Sequence, residues 1–175
     1  MQSKIVISLS ILTLLTSGCA FTPRKDQFQT LHTPESGERA RIRAIITYGS
    51  LAASPESSCY KINSRAGIVI SPTISLAAKG HTGKTLGIPP GPISNPKASK
   101  NEMAEFYVRG NSPITFHQMD FGGGTTCTLP PVTFTPETNK DYEIMYIHAR
   151  TTCSVIARSI TDNTTIPLKK TKKCK

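Results

Sequence analysis

Alternation of apolar and polar side chains is the clearest pattern along this chain. In residues 39–48, Arg39, Arg41 and Arg43 alternate with alanine and isoleucine. The same alternation recurs at 102–109 and at 141–149. A period of two residues is typical of half-buried β-strands. Shorter runs bounded by Gly, Pro and Ser predict further strands at 59–62, 67–70, 73–76, 113–117, 132–135 and 153–160.

Gly, Ser and Pro separate these runs, and no helical period follows residue 18. The Ser/Pro stretch at 49–58 is predicted to end the first strand. Residues 79–101 are rich in Gly and Pro and have no hydrophobic period, so we expect a long, mobile surface loop there, with partner binding as the alternative. The pattern predicts an all-β fold, a single antiparallel β-sandwich over residues 39–168.

The first 18 residues have the pattern of an export signal. Lys4 is their only charge, and the apolar run that follows is too short for a permanent bilayer span. The run ends in Ser17-Gly18-Cys19, which resembles the processing site of bacterial lipoproteins, although Thr16 stands where leucine is commoner. The resemblance implies cleavage of residues 1–18 and attachment of a diacylglyceryl group and a further acyl chain, such as palmitate, at Cys19. In that family Ala20, in place of aspartate, implies the outer membrane.

Polar segments flank the predicted domain. Residues 19–38 contain two prolines and show no hydrophobic period, so we expect a flexible tether between Cys19 and the first strand. Residues 169–175 contain five lysines and are expected to form a basic tail.

The cysteine count indicates disulfides. Apart from Cys19, the chain has four cysteines, and an even number in an exported chain favours bridges. Three pairings remain open, and we favour Cys127 with Cys153 and Cys59 with Cys174. Each bridge would close a long loop and stabilise the fold by about 2–4 kcal/mol.

The net charge of +10 favours acidic partners. Anionic lipid headgroups and lipopolysaccharide phosphates suit the exported compartment, which argues against nucleic acid. Arg39, Arg41 and Arg43 alternate along one strand and are predicted to share one face. Together with Arg109 and the basic tail they are expected to form a cationic face that contacts lipid A or anionic headgroups near the anchor. The alternatives are a solvated strand face and a basic surface without a dedicated partner.

No catalytic or metal-binding pattern is convincing. Residues 78–85 fit a relaxed P-loop, but a P-loop needs a helix after it, and the proline-rich residues 86–92 cannot form one. The histidines lack the close spacing of a zinc site, although His148 comes five residues before Cys153. No nucleophile-elbow sequence occurs. We therefore expect no cofactor, no metal and no enzymatic activity.

The C-terminal part contains one layout that resembles a known group. Its residues are Cys127, Phe134-Thr-Pro136, Lys140-Asp-Tyr-Glu143 and Cys153-Ser-Val155. They resemble the last strands of small, uncharacterised bacterial envelope lipoproteins. The resemblance implies a lipoprotein with an immunoglobulin- or transthyretin-like sandwich, a Cys127–Cys153 pair and no catalytic residues.

These expectations together describe a lipoprotein that Cys19 anchors in the outer membrane, with its domain facing the periplasm. Its expected role is that of a non-catalytic structural or binding module of the cell envelope, with a periplasmic protein as an expected partner. One alternative is an accessory lipoprotein of a type VI-like secretion system. Another is an inhibitor of a periplasmic hydrolase such as lysozyme.

Overall fold

The fold is a sandwich of two five-stranded β-sheets. It is known from a computed structural model that describes residues 29–61, 67–72, 80–93, 99–119, 128–149 and 152–175. The strands in these residues are β1 (Arg39–Ile46), β2 (Ser50–Pro55), β3 (Gly67–Ile70), β4 (Met103–Arg109), β5 (Ile114–Met119), β6 (Val132–Phe134), β7 (Asp141–His148), β8 (Cys153–Ser159), β9 (Thr164–Thr165) and β10 (Lys169–Lys170). A 3₁₀ turn at Lys100–Glu102 precedes β4. The predicted all-β sandwich is confirmed; the predicted strand at 73–76 lies outside the described residues.

The first sheet has the order β4-β1-β7-β8-β9. Most of its pairs are antiparallel, but β1 and β7 run parallel, in register from Arg41 opposite Asp141 to Ile46 opposite Tyr146. The sheet is therefore mixed at this pair. Parallel neighbours need a long connection, and here the chain passes through the second sheet between β1 and β7.

The second sheet has the order β10-β6-β5-β2-β3 and is antiparallel throughout. Strand β2 lies inside it, so the prediction that residues 49–58 form only an interruption is wrong. Every residue from Ser50 to Ser54 is buried, which removes the alternation that marks a half-buried strand. The outward residues Ser50, Ala52 and Ser54 are all small, and Ser54 Oγ accepts a hydrogen bond from the Lys61 amide at 2.8 Å.

The core lies between the sheets and rests on a run of aromatic rings. Phe106, Phe116, Phe134 and Tyr142 follow one another with centroid separations of 6.4, 6.3 and 5.5 Å. Aliphatic side chains from both sheets complete the same cluster. Contacts between such rings stabilise a core by about 0.5–1.5 kcal/mol each beyond the area that they bury.

The prediction of a flexible tether at 19–38 is wrong for residues 29–31, which pair with β3. The Leu31 amide donates to the Ile68 carbonyl at 3.0 Å, and the Ile68 amide donates to the Gln29 carbonyl at 2.7 Å. Leu31 is only 2% exposed and belongs to the core. Residues 29–31 thus cover the free edge of β3, because that edge needs hydrogen-bond partners and Leu31 supplies an apolar side chain.

The basic tail is also attached to the domain. Residues 169–170 form β10 and pair with β6, and Cys174 forms the predicted disulfide with Cys59 across a Cα–Cα distance of 5.1 Å. Within the strand that we predicted at 59–62, Tyr60 makes only an isolated parallel bridge to Lys173, and Ile62 lies outside the described residues. No helix in the described part of the chain has the length and apolar character needed to cross a membrane.

Candidate functional site

A row of charged side chains lies on the outer face of the first sheet. Strand register places Glu105 of β4, Arg43 of β1 and Glu143 of β7 side by side. Arg43 donates to Glu105 Oε1 from Nε at 2.9 Å and from Nη2 at 2.7 Å, and its Nη1 donates to Glu143 Oε1 at 2.9 Å. The exposed fractions are 6% for Arg43, 3% for Glu105 and 0% for Glu143. These three residues are called the charge row below.

Residues 86–93, called the strap below, cover the charge row. The Leu86 and Ile88 amides both donate to Glu105 Oε2, the second at 3.2 Å, and the Ile93 amide donates to Glu143 Oε2 at 3.1 Å. Arg43 in turn donates to the Ile88 and Pro89 carbonyls. The expectation of a mobile surface excursion is therefore wrong for this part of the 79–101 loop. A buried charge needs several partners, and the strap supplies them.

The sequence of the strap explains how it lies on a charged surface. Pro89, Pro90 and Pro92 have no amide hydrogen, so they add no donor that would need an acceptor. The amides at 86, 88 and 93 point instead to the two carboxylates. A Cβ at Gly91 would overlap the Glu143 carboxylate, so glycine is required where the strap passes closest to the sheet.

The three arginines of β1 do share one face, as the alternation predicts. Arg41 binds Asp141 through two hydrogen bonds, Nε to Oδ1 at 2.7 Å and Nη2 to Oδ2 at 2.6 Å, and this contact raises the Arg41 pKa. Arg39 lies over the Tyr107 ring with its Cζ 4.3 Å from the centroid and donates to the Glu35 carbonyl. The predicted cationic face is corrected at Arg43 and Arg41, because cross-strand carboxylates neutralise both.

Two depressions lie at the end of the sandwich where β1 begins. A cavity of about 260 Å³ is lined by residues that include Arg39, Tyr107 and Lys140. An open groove of about 930 Å³ has the size of a ligand site. Its wall is formed by residues 29–35, with Pro55, Glu56, Lys61 and Arg109 around it. The charges here occur in both signs, and Arg109 lies 3.7 Å from Glu56.

His81 is a structural residue. Its ring is buried against Phe106, at 5.8 Å between centroids, and its Nε2 donates to the Leu31 carbonyl at 2.7 Å. Burial lowers its pKa. The neighbouring P-loop-like residues pair with the edge of β4, since the Glu105 amide donates to the Lys84 carbonyl at 2.8 Å. The segment from 84 to 93 contains no helix, as its prolines predict.

His148 and Cys153 lie opposite each other at the end of the β7–β8 pair. The Cys153 sulfur is 3.3 Å from His148 Nδ1, and His148 Nε2 donates to Gln118 Oε1 at 2.6 Å. Cys153 is disulfide-bonded, so its sulfur is not a free nucleophile. Its predicted partner, Cys127, lies outside the described residues, and that pairing stays a prediction. Cys19 also lies outside them. Within the described residues, no three His, Cys, Asp or Glu side chains lie together as a metal site.

A second charged region lies on the other sheet and is called the lysine strip below. It consists of Lys169, Lys170, Lys172, Lys173 and Lys175. All five are exposed, and among the described residues none of them forms an ion pair. The Thr171 amide donates to the Pro131 carbonyl at 2.9 Å, and the Tyr60 and Lys172 backbones are joined at 3.1 Å.

Sequence reasoning missed the charge row and the pairing of residues 169–170 with β6, although it favoured the Cys59–Cys174 bridge that holds the end of the strip. Glu105 and Glu143 occupy outward positions in two strongly alternating strands, in phase with Arg43 once the register is known. That shared phase was the available signal. No protein-family model, curated protein or solved structure matches the chain. Function has to be inferred from the residues and their geometry.

Proposed function

We propose that this chain is a non-catalytic, lipid-anchored module of the bacterial cell envelope. Its acyl chains are attached at Cys19, and its β-sandwich faces the periplasm from the outer membrane. The module is a structural or binding protein. The Ser17-Gly18-Cys19 motif and the alanine at position 20 motivate the anchor and its membrane.

The Cys59–Cys174 disulfide is the observation that supports this proposal best. It joins residues that are 115 positions apart in the sequence, and both cysteines are partly buried. Structural disulfides of this kind persist in oxidising compartments and are rare in the cytosol. An exported destination is what the N-terminal segment independently suggests. Two unrelated parts of the chain thus support the same compartment.

Intact mass measured after membrane extraction tests the anchor. We expect loss of residues 1–18, added mass for three acyl chains at Cys19, and a mass deficit that corresponds to the disulfides. The Cys19→Ser variant is the matched control, and it should keep the unprocessed mass and lose the acyl mass. A wild-type chain that is cut elsewhere, or that carries no lipid, would contradict the proposal.

Density-gradient separation of the two membranes tests the localisation. Wild type should sediment with the outer membrane, and an Ala20→Asp variant should move toward the inner membrane. Protease added to intact cells and to cells with a permeabilised outer membrane reports the side. Digestion only after permeabilisation is expected for a domain that faces the periplasm.

A further inference from the structure

We propose that the lysine strip binds the phosphate headgroups of an anionic membrane, and that the Cys59–Cys174 disulfide holds it in the geometry for doing so. This inference rests on the proposed lipid anchor, which would bring the domain close to a membrane. It names the surface and the partner, neither of which follows from the anchor alone.

The strip is fixed along its length. Lys169 and Lys170 pair with Thr133 and Val132 of β6. Further along, the Tyr60 amide donates to the Lys172 carbonyl at 3.1 Å, and the Cys174 amide donates to the Tyr60 carbonyl at 2.9 Å. The disulfide closes the far end. Five lysines that a free tail would spread over many conformations are therefore presented on one ordered backbone.

The folded protein does not neutralise these charges. No carboxylate of the described residues forms an ion pair with the strip. Glu105 and Glu143 pair within the charge row, and Asp141 binds Arg41. Others pair at the same end of the first sheet, where Lys140 binds both Glu137 and Asp162 at 2.8 Å. The five ammonium groups of the strip remain available for an external anion.

The chemistry of the strip fits a headgroup surface better than a single small anion. The lysines are spread over an exposed segment and line neither of the two depressions described above. An ammonium group is a compact, hydrated point charge that needs no shaped partner, unlike a paired guanidinium. Clusters of four to eight basic residues near a membrane are attracted to anionic lipid, by about a fivefold gain in partitioning for each lysine.

The proposed anchor makes the contact sterically reachable. Cys19 precedes Gln29 by ten residues, which can span at most about 35 Å. A domain of this length has a radius of gyration of about 15 Å. The side of the sandwich that carries the strip can thus turn to the bilayer that holds the acyl chains, where the effective lipid concentration is high.

Vesicle sedimentation tests the proposal. The full mature chain carrying Cys19→Ser, oxidised so that the disulfide is intact, is mixed with vesicles of 70% phosphatidylcholine and 30% phosphatidylglycerol. We expect binding at low salt that is lost near 0.5 M salt, where charges are screened over a few ångströms. Vesicles of phosphatidylcholine alone should not bind. Because the tested chain has no lipid, this result does not depend on whether the anchor exists.

Two matched double variants distinguish an effect of the strip's position from an effect of the protein's net charge. Lys172→Gln with Lys173→Gln removes two charges from the strip, and Lys84→Gln with Lys100→Gln removes two from exposed positions elsewhere. The first pair should weaken binding about twenty-fivefold, and the second by less than threefold. Equal losses would overturn the proposal, since binding would then follow net charge alone.

Two further arms test the class of ligand and the role of the disulfide. At constant ionic strength, 10 mM inorganic phosphate should leave vesicle binding unchanged, and displacement would identify a site for a single small anion instead.

The variant Cys59→Ser with Cys174→Ser should bind at least fivefold more weakly while its circular dichroism stays native. A folded variant that binds as tightly as wild type would overturn the role of the disulfide. Failure of the intact chain to bind anionic vesicles would overturn the whole inference, and would leave the acylation test at Cys19 unaffected.

Discussion

Charged side chains of the charge row are buried and paired on the first sheet, and those of the lysine strip are exposed on the second. On the first sheet, Arg43 lies between two carboxylates under the strap, and its side chain is 7% exposed. On the second sheet, the lysine strip presents five exposed ammonium groups, and no carboxylate among the described residues pairs with them. Water solvates the strip at little cost, whereas a charge removed from water needs partners that replace its hydration.

The comparison separates charges that are buried and paired from charges that are exposed and form no ion pair among the described residues. The charge row is saturated, because every oxygen and nitrogen that it turns toward the strap has a backbone or side-chain partner. It has little capacity to bind anything else. The lysine side chains of the strip are exposed, so we expect them to contribute little to folding and to be available to the proposed membrane partner.

Removal of Arg43 should have the largest effect. Arg43→Met leaves Glu105 and Glu143 buried without their cation, and breaking such a buried pair costs about 3–5 kcal/mol. Urea unfolding should show this loss in the free energy of unfolding. Arg109→Gln is the control, because its ion pair with Glu56 is exposed and is expected to contribute less than 1 kcal/mol. Similar losses in the two variants would show that the charge row has no special role in stability.

Loss of the Cys59–Cys174 disulfide should come next. Cys59→Ser with Cys174→Ser removes a cross-link between residues 115 positions apart, so the unfolded chain gains conformational entropy. The free energy of unfolding should fall by about 2–4 kcal/mol. Thermal unfolding under oxidising conditions measures it. Addition of a reductant should lower the melting temperature of wild type and shift the double variant less. A double variant as stable as wild type would mean that backbone pairing alone holds the lysine strip.

Acid should weaken the region beneath the lysine strip. The His117 ring lies 5.1 Å from that of Tyr60, which pairs with Lys173, and burial lowers the His117 pKa from 6.5 to about 4. The folded state favours the neutral ring, so this stability is complete above pH 6.5 and is lost as the pH falls toward 4. The loss amounts to at most about 3 kcal/mol.

The pH dependence of unfolding in His117→Phe checks this assignment. Between pH 7 and pH 4 the variant should lose less stability than wild type, whatever its stability at pH 7. His81, whose pKa is also lowered by burial, titrates in both proteins and cancels in the difference. Identical pH profiles would contradict a buried neutral His117.

A methyl group under the strap should have a smaller and more local effect. Gly91→Ala places a Cβ against the Glu143 carboxylate and should cost about 1–3 kcal/mol through overpacking. Hydrogen exchange should speed up at the Ile93 amide, which donates to Glu143. The Gly83 amide, which donates to the Met103 carbonyl at 2.8 Å, should stay protected as the internal control. Unchanged exchange at Ile93 would show that the strap tolerates the added group.

Neutralisation of the strip should have the smallest effect on folding. Lys172→Gln with Lys173→Gln changes exposed side chains and should alter the free energy of unfolding by less than about 0.5 kcal/mol. Urea titration of the same preparation that is used for vesicle binding measures it. A loss above 1 kcal/mol would mean that these lysines support the fold, and the contrast between the two sheets would disappear.

Strands that carry an alternating pattern or an apolar run could be predicted from the sequence, and β2, which has neither, could not. The alternation of Ile42, Ala44 and Ile46 with the arginines placed β1 correctly, and β4 and β7 followed in the same way. Strand β2 has no alternation because both of its faces are covered. The parallel pairing of β1 with β7 was not predictable either, since a period of two carries no information about the neighbour of a strand.

The candidate sites also differ in how far the sequence could predict them. The amino-acid sequence by itself determined that β1 carries its three arginines on one face, that the chain has a basic C-terminal segment, and that Cys59 and Cys174 have a bonding partner available. Local period and residue type suffice for such statements. Only the tertiary structure decided that Arg43 is buried between Glu105 and Glu143, and that residues 169–170 of the lysine strip pair with β6. The physical reason is that both outcomes depend on strand register and on contacts between distant segments, which no local pattern encodes. Arg43 and Pro89 are 46 positions apart, and Cys59 and Cys174 are 115 positions apart.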